Sequence, residues 1–474
     1  MFAPRALAAL CTLALAGHAR PAGADDAEVI AQVDAAFAHD APKTGPGGVA
    51  LLLRRGEVLA RRAYGLANLE LTVPMEPELR FRIASISKQI TAVALLQLVD
   101  AGKVDLHAPL SRYLPGTPPA WSAIRIEHLL AHTSGIPSPG ELPLETSIAL
   151  LAKPTLAELR AVLAKQPLRS KPGVKHVYNN YGYDLLGEVI ERVTGRGYCE
   201  YVTATLFQPL GMTRTVCPTT REPLDGLVTG YERDPAHRFA TPAAYELGAS
   251  ANPAAGIVST ADDLGRWAVA LYGGTLLSPA SLTALTTPAR LADGTQLDYA
   301  MGARVHVIDG HRIVEAGGEW PGYYSEVAYD ADSGVIAISL SNFLLYNFQP
   351  PWAIFTRRLL AIGRGHPLPP LPRVVVPEAE LAQWVGDYAT KGSRTSQRAV
   401  QLDGGTLYSK ELGDPGRDEL VPLGNGLFAF GQDDDTRLQF TLAGGTAQVH
   451  VFRDGWEPRP GELTQLRLPR PPGK

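Results

Sequence analysis

Strand-like segments sit near both ends of the first three quarters of this chain, and almost nothing between them reads as a strand. Gly48 to Leu53 and Val58 to Tyr64 have strand character. Runs of that kind return at Arg304 to Val307, Glu326 to Tyr329 and Val335 to Leu340. The stretch between is helical in its periodicity. Ile90 to Val99 is apolar nearly all round and stops at Gly102, which predicts a buried central helix. Tyr183 to Val193 places Leu185, Leu186, Val189, Ile190 and Val193 on one face, with Gly195 as a stop. Strands at both ends of a helical middle bury their apolar faces most simply in one sheet drawn from distant parts of the chain. The expected class is therefore α+β, in layers.

The texture changes after Gly365 to Pro377, a proline-rich run that reads as a stiff linker. Beyond it, Ala399 to Leu402 and Thr406 to Ser409 flank Asp403-Gly404-Gly405. Leu427 to Phe430, Arg437 to Leu442 and Ala447 to Phe452 continue the series of short alternating strands. This tail predicts a small all-β barrel or sandwich.

At the other end, Met1 to Ala24 carries Arg5, an apolar stretch from Ala6 to Gly17, and Ala22-Gly23-Ala24, the small-x-small form at which signal peptidase cuts. The run falls far short of the roughly 20 residues that span a bilayer. It predicts a cleaved signal peptide, a periplasmic or secreted protein, and no integral membrane segment after cleavage. Cys199 and Cys217 then either pair or stand as two separate buried thiols. Lys+Arg 44 against Asp+Glu 48 gives a net charge of -4. No strong basic field exists to hold nucleic acid.

Several chemical motifs are absent. No G-x-S-x-G occurs, so the strained nucleophile elbow is missing. His128-Leu-Leu-Ala-His132 has the histidine spacing of a zinc helix without its glutamate, and no C-x-x-C is present, so no metal or other cofactor is expected. What remains is Ser85-Ile-Ser-Lys88 at the start of the buried helix. A spacing of three puts Ser85 and Lys88 on one helical face. A capping serine with a solvated lysine is the ordinary alternative. The apolar helix behind Lys88 instead favours burial, which lowers an amine pKa, and the helix N-terminus offers Ser85 a free N–H for an oxyanion. Tyr178-Asn179-Asn180-Tyr181-Gly182-Tyr183 precedes the amphipathic helix, where Asn180 has the place of an N-cap.

Four segments occur in order: Phe81 to Thr91, Glu127 to Pro137 with its His132-Thr-Ser-Gly, Tyr178-x-Asn180 with Gly182 to Gly187, and Gly256 to Leu264. Together they resemble the serine β-lactamase and penicillin-binding protein superfamily, in its class C-like branch of peptidases, esterases and lactamases. The resemblance covers roughly Ala27 to Leu360. It implies an antiparallel sheet flanked by helices, with a helical subdomain. It also implies that Ser85 is the nucleophile of an acyl-enzyme and that Lys88 and Tyr178 share removal of its proton. Asn180 then orients Lys88 and the substrate amide, and His132 with Ser134 belongs to a structural loop. Which of Lys88 and Tyr178 is the base stays open.

The third element departs from the branch. Members usually carry Lys-Thr-Gly or His-x-Gly on the strand bordering the site, where this chain has Glu315-Ala316-Gly317-Gly318-Glu319-Trp320-Pro321-Gly322-Tyr323. Gly317 and Gly318 leave the strand edge bare for substrate, and the Glu319 N–H is placed to complete an oxyanion hole with that of Ser85. Ala316 stands where Lys or His is expected, which removes a cationic grip on a substrate carboxylate. The Glu319 side chain is the candidate to attract a cationic substrate instead.

Leu381 to Tyr388 and the strands after it resemble the lipocalin-like β-barrel appended to some of these hydrolases. The expected division is a signal peptide (1–24), a β-lactamase-like hydrolase domain (25–364), a linker (365–377) and a lipocalin-like domain (378–474). The expected activity is cleavage of a small ester or amide through acyl-Ser85. A D-amino-acid-specific peptidase or a β-lactamase is the alternative in substrate, and a non-catalytic ligand-binding protein on the same scaffold is the alternative in class.

Overall fold

Gly48–Arg54 (β1) is apolar from Val49 to Leu53 and is buried on both faces, the pattern of a strand covered from two sides. Val49, Leu51 and Leu53 enter one core while Ala50 and Leu52 enter another, with the period of two that a pleated strand imposes. Its neighbours are Glu57–Tyr64 (β2) and, from far along the chain, a meander of Arg304–Ile308 (β3), His311–Trp320 (β4), Tyr323–Asp330 (β5) and Val335–Ser341 (β6). The sheet runs β2-β1-β6-β5-β4-β3 and is antiparallel throughout. Leu51 lies opposite Ile338 and Leu53 opposite Ile336, so two distant parts of the chain close one hydrophobic layer.

The computed structural model describes residues 24–38, 44–137, 143, 155–218, 223–233, 239–240, 253–343, 351–368, 372–390, 397–411, 417–430, 436–453 and 464–468. The expected signal segment up to Gly23 lies outside them, as does 369–371 of the proline-rich run. Ala24–Ala38 (α1) is helical. Ile86–Asp100 (α2), Asn180–Thr194 (α3), Ala261–Tyr272 (α4) and Pro351–Arg364 (α5) are the other long helices. Val33 and Phe37 of α1 pack with Leu359, Leu360 and Ile362 of α5 on one face of the sheet. The opposite face carries α2 and α4, with α3 packed behind α2. Among the described residues no helix is long and apolar enough to cross a membrane.

Helix α2 is buried along nearly its whole length. Its few polar residues are satisfied internally: Gln89 accepts from Trp267 Nε1 at 3.0 Å and donates to the Tyr272 hydroxyl at 3.1 Å, and Thr91 donates to the Pro253 carbonyl at 2.7 Å. Gly195 ends α3 in the left-handed conformation, as its place beyond the last apolar residue predicts. Cys199 and Cys217, left as a pair or two thiols by the sequence, form a disulfide with Cα atoms 5.5 Å apart.

The tail is a closed barrel of eight strands in chain order: Gly386–Thr390 (β7), Arg398–Asp403 (β8), Thr406–Glu411 (β9), Asp418–Gly424 (β10), Leu427–Phe430 (β11), Thr436–Ala443 (β12), Thr446–Arg453 (β13) and Thr464–Arg467 (β14). Pairing of β7 with β14 leaves the barrel without a free edge. Gly404-Gly405, Asn425-Gly426 and Gly444-Gly445 make two-residue hairpin turns with positive φ at both positions. Tyr388, Leu407, Phe428, Leu438 and Phe440 fill the interior. Three strands lack a sequence signal: β7 and β14 are short, and β10 is broken by a bulge at Pro422. The stretch 365–377 is not a linker throughout. Val374 N–H donates to the Pro422 carbonyl at 3.0 Å, and Val376 packs against the barrel core.

Candidate active site

The turn into α2 puts Ala84 in the left-handed region at φ 44°, a conformation that costs a non-glycine residue about 1–3 kcal/mol. It is pinned on both sides: Ile83 N–H donates to the Ile257 carbonyl at 3.1 Å, and the Ile83 carbonyl accepts from Ser325 Oγ at 2.8 Å. Ser85 follows as the N-cap residue, yet its side chain caps nothing. Lys88 is fully buried. The ordinary reading of such a pair, a capping serine beside a solvated lysine, therefore does not hold.

Lys88 Nζ lies 2.9 Å from Ser85 Oγ and 2.9 Å from the Ala254 carbonyl. It stands over the rings of Tyr178 and Tyr183, at 4.8 and 5.8 Å from their centroids. Burial brings its pKa down to about 7, with the Asp184 charge pulling the other way. Tyr178 is 42% exposed as a residue, but protein surrounds its phenol oxygen. That burial pushes its pKa up to about 12, opposed by a hydrogen bond with Ser85. Burial thus moves the two candidate bases apart, the amine down and the phenol up.

Asn180 departs from expectation twice. The cap of α3 is Asn179, whose Oδ1 accepts from Tyr181 N–H at 2.9 Å and whose Nδ2 donates to the Ile136 carbonyl at 2.7 Å. Asn180 Oδ1 has no hydrogen-bond partner, so it does not orient Lys88; the Ala254 carbonyl does. Asn180 instead faces the cavity with an acceptor to spare. His132 Nδ1 accepts from Asn179 N–H at 3.1 Å and Nε2 meets the Tyr299 hydroxyl at 3.1 Å. Burial keeps this imidazole neutral, its pKa far below the usual value. Its role is to hold the Tyr178 segment, in line with a structural loop, and Ser134 Oγ accepts from Ile136 N–H within that loop.

Strand β4 closes the other wall. A Cβ on Gly318 would lie 2.2 Å from the Ile83 carbonyl oxygen and 2.8 Å from Ser85 N, so glycine lets the strand press against the start of α2. A Cβ on Gly317 would meet only the Ser325 carbonyl, at 3.9 Å. The cavity of about 400 Å³ is lined by Ser85, Tyr178, Asn180, Arg304 and the strand from Glu315 to Glu319. Every residue picked out by sequence thus gathers at one place, with Lys88 beneath. Ala316 contributes no charge, being 2% exposed and part of the main core. Glu315 is engaged by His306, Nε2 to Oε2 at 2.9 Å. The Glu319 carboxyl is held above its usual range by burial, with Arg304 opposing.

Sequence reasoning missed Arg304, Tyr299 and Asp184. Arg304 opens a strand that was anticipated, but nothing in the sequence tells which way it points. Asp184 lies one turn beyond Asn180, a spacing that could have marked it as facing the same site. Residues 33–351 match the model of the beta-lactamase family. The chain belongs to that family. This beta-lactamase family member is 27% identical over 429 residues to penicillin-binding protein 4* of Bacillus subtilis (strain 168), an alignment covering 86% of this chain and 93% of that protein. It is 34% identical over 312 residues to esterase EstB of Burkholderia gladioli, covering 58% and 76% of the two chains. The D-amino acid amidase of Ochrobactrum anthropi SV3 shares its fold, with a TM-score of 0.61, 24% identity, and coverage of 72% of this chain and 98% of that one.

Proposed function

We propose that this family member is an exported serine hydrolase that cleaves a small ester or amide through an acyl-Ser85 intermediate, with Lys88 as the base. The observation that carries this reading is the 2.9 Å contact between Ser85 Oγ and a buried Lys88 amine whose pKa is brought to about 7. The neutral amine takes the Ser85 proton as Oγ bonds to the substrate carbonyl carbon. The oxyanion forms against the N–H groups of Ser85 and Glu319. Collapse expels the alcohol or amine, which takes the proton back by way of Tyr178. Water then gives a proton to the same pair as its oxygen bonds to the acyl carbon; the bond from that carbon to Ser85 Oγ breaks, Oγ takes the proton back, and the acid leaves. Export is supported by the apolar leader and by the Cys199–Cys217 bridge, a linkage that persists in oxidising compartments.

The absent cation at position 316 favours neutral acyl groups. A second reading, an amidase or peptidase acting on amino-acid derivatives, is favoured by the charges at the cavity: the Glu319 carboxylate suits a substrate ammonium, and Arg304 is an exposed cation at the wall. The test is a turnover screen with short-chain nitrophenyl esters, a chromogenic cephalosporin and D-amino-acid amides, beside mass analysis after a fluorophosphonate probe. An adduct at Ser85 and loss of turnover in Ser85→Ala are expected. No adduct, with Ser85→Ala equal to wild type across the panel, would refute the reading.

A further inference from the structure

Beneath the amine that does the chemistry lies a carboxylate that no step above uses. Asp184 on α3 is 4% exposed, and its Oδ1 has no hydrogen-bond partner. A buried, half-satisfied carboxylate is costly and calls for a compensating charge. The compensation is reached through one peptide unit. The Ala254 carbonyl accepts from Lys88 Nζ at 2.9 Å, and the Ala254 N–H donates to the Asp184 carboxylate. Helices α2 and α3 thus hand the two charged groups to opposite sides of the same residue.

We propose that Asp184 is a positioning residue for Lys88: a buried counter-ion that, across the Ala254 peptide, stabilises the ammonium formed when Lys88 takes the Ser85 proton. The inference rests on Lys88 being the base. In that step the Ser85 O–H bond breaks, an N–H bond forms on Lys88, and Oγ bonds to the carbonyl carbon, whose π electrons pass to the oxyanion. Positive charge appears on Lys88 alone, a side chain that is fully buried. Electrostatic support already in place is worth most there.

The surroundings leave Asp184 as the compensating group. Facing Lys88 are Ser85 from its own helix, the rings of Tyr178 and Tyr183, and the neutral His132, on which the Lys88 charge acts. Facing Asp184 are Lys88, Tyr181 of its own helix and Tyr198 of the short helix Tyr198–Val202. Both tyrosines are held in the phenol form by burial. Glu188, one turn further along α3, is paired with Arg160 at 3.0 Å. In support, burial lifts the Asp184 pKa to about 7 against the pull of Lys88, so each group senses the other's charge.

The test is the pH profile of Asp184→Asn with a nitrophenyl ester. Removing the carboxylate makes the Lys88 ammonium harder to form. The acid limb of kcat/KM is expected to move down by about one pH unit or more, and plateau kcat to fall by roughly tenfold or more. Asp184→Glu keeps the charge and is expected to keep the wild-type limb. An equal shift in both variants would assign the effect to shape and overturn the proposal, as would an unchanged limb and plateau in Asp184→Asn. Should that variant not fold, Lys88→Met gives the reciprocal reading. Without the ammonium, Asp184 is expected to show the infrared carbonyl stretch of a protonated buried acid at neutral pH, lost in the Lys88→Met/Asp184→Asn double variant. Absence of that band overturns the proposal. Wild-type protein without Ser85 labelling or turnover refutes the hydrolase reading itself, a result distinct from any of these.

Discussion

Replacing Gly318 with alanine adds a single methyl group at the tightest point of the site. That methyl carbon would sit 2.2 Å from the Ile83 carbonyl oxygen, 2.7 Å from Ser325 Oγ and 2.8 Å from Ser85 N. Ordinary contact begins at 3.4 Å, so strand β4 and the turn before α2 must separate by about 1.2 Å along the worst contact. Ser325 cannot simply rotate out, because its hydroxyl is held by the Ile83 and Gly318 carbonyls. Overpacking of this kind costs about 1–3 kcal/mol of stability. The larger effect is on rate, since the atoms forced apart carry the nucleophile and both oxyanion donors, and a misplacement near 1 Å costs roughly 10²-fold. Steady-state kinetics with a nitrophenyl ester should show kcat reduced by about 10²- to 10³-fold. Gly317→Ala, with no neighbour nearer than 3.9 Å, serves as the comparison and should melt close to wild type. Wild-type kcat in Gly318→Ala would show that the strand does not lie against Ser85 in the way that gives the site its shape.

Three further outcomes are expected. The acid limb of kcat/KM should be centred near pH 7, activity rising with pH as Lys88 loses its proton, because burial brings that amine to about 7; a limb below about pH 5 would point to a carboxylate base instead. Arg304→Ala should lower kcat/KM for a substrate bearing a free carboxylate about 10- to 100-fold more than for its methyl ester, the worth of a charged hydrogen bond. Equal losses on the two substrates would show that Arg304 does not grip the carboxylate. Reduction of Cys199–Cys217, or Cys199→Ser with Cys217→Ser, should cost about 3 kcal/mol in a urea melt for a closed loop of 18 residues.

What the sequence made legible follows burial. Strand β1 is a continuous apolar run and β6 is apolar but for Ser339 and Ser341, because both faces are covered, and α2 is apolar nearly all round for the same reason. Strand β4 gives no such signal, since two glycines and two glutamates there serve the cavity rather than the core. Ser85 and Lys88 become legible only in company, through four motifs in a fixed order. The group that orients Lys88 is a main-chain carbonyl, which leaves no trace in residue identity. Asn179 and Asn180 exchange roles because cap and cavity lie one residue apart, finer than a boundary read from periodicity.

The pairing of β1 with β6 also sets a timetable. Arg54 finds its partner in Val335, and Ser85 meets Gly318 only when that same meander has been made. At roughly 5–20 residues per second of synthesis, the first strand waits on the order of 15 to 55 seconds for its neighbour. During that interval Val49 to Leu53 has β2 along one edge and leaves the other edge open. Folding must then close contacts of very long sequence separation, which makes it slow. A chain cut short before residue 311 would keep the nucleophile and its base but lack the wall against which substrate is held, so hydrolytic competence comes late in the making of this protein.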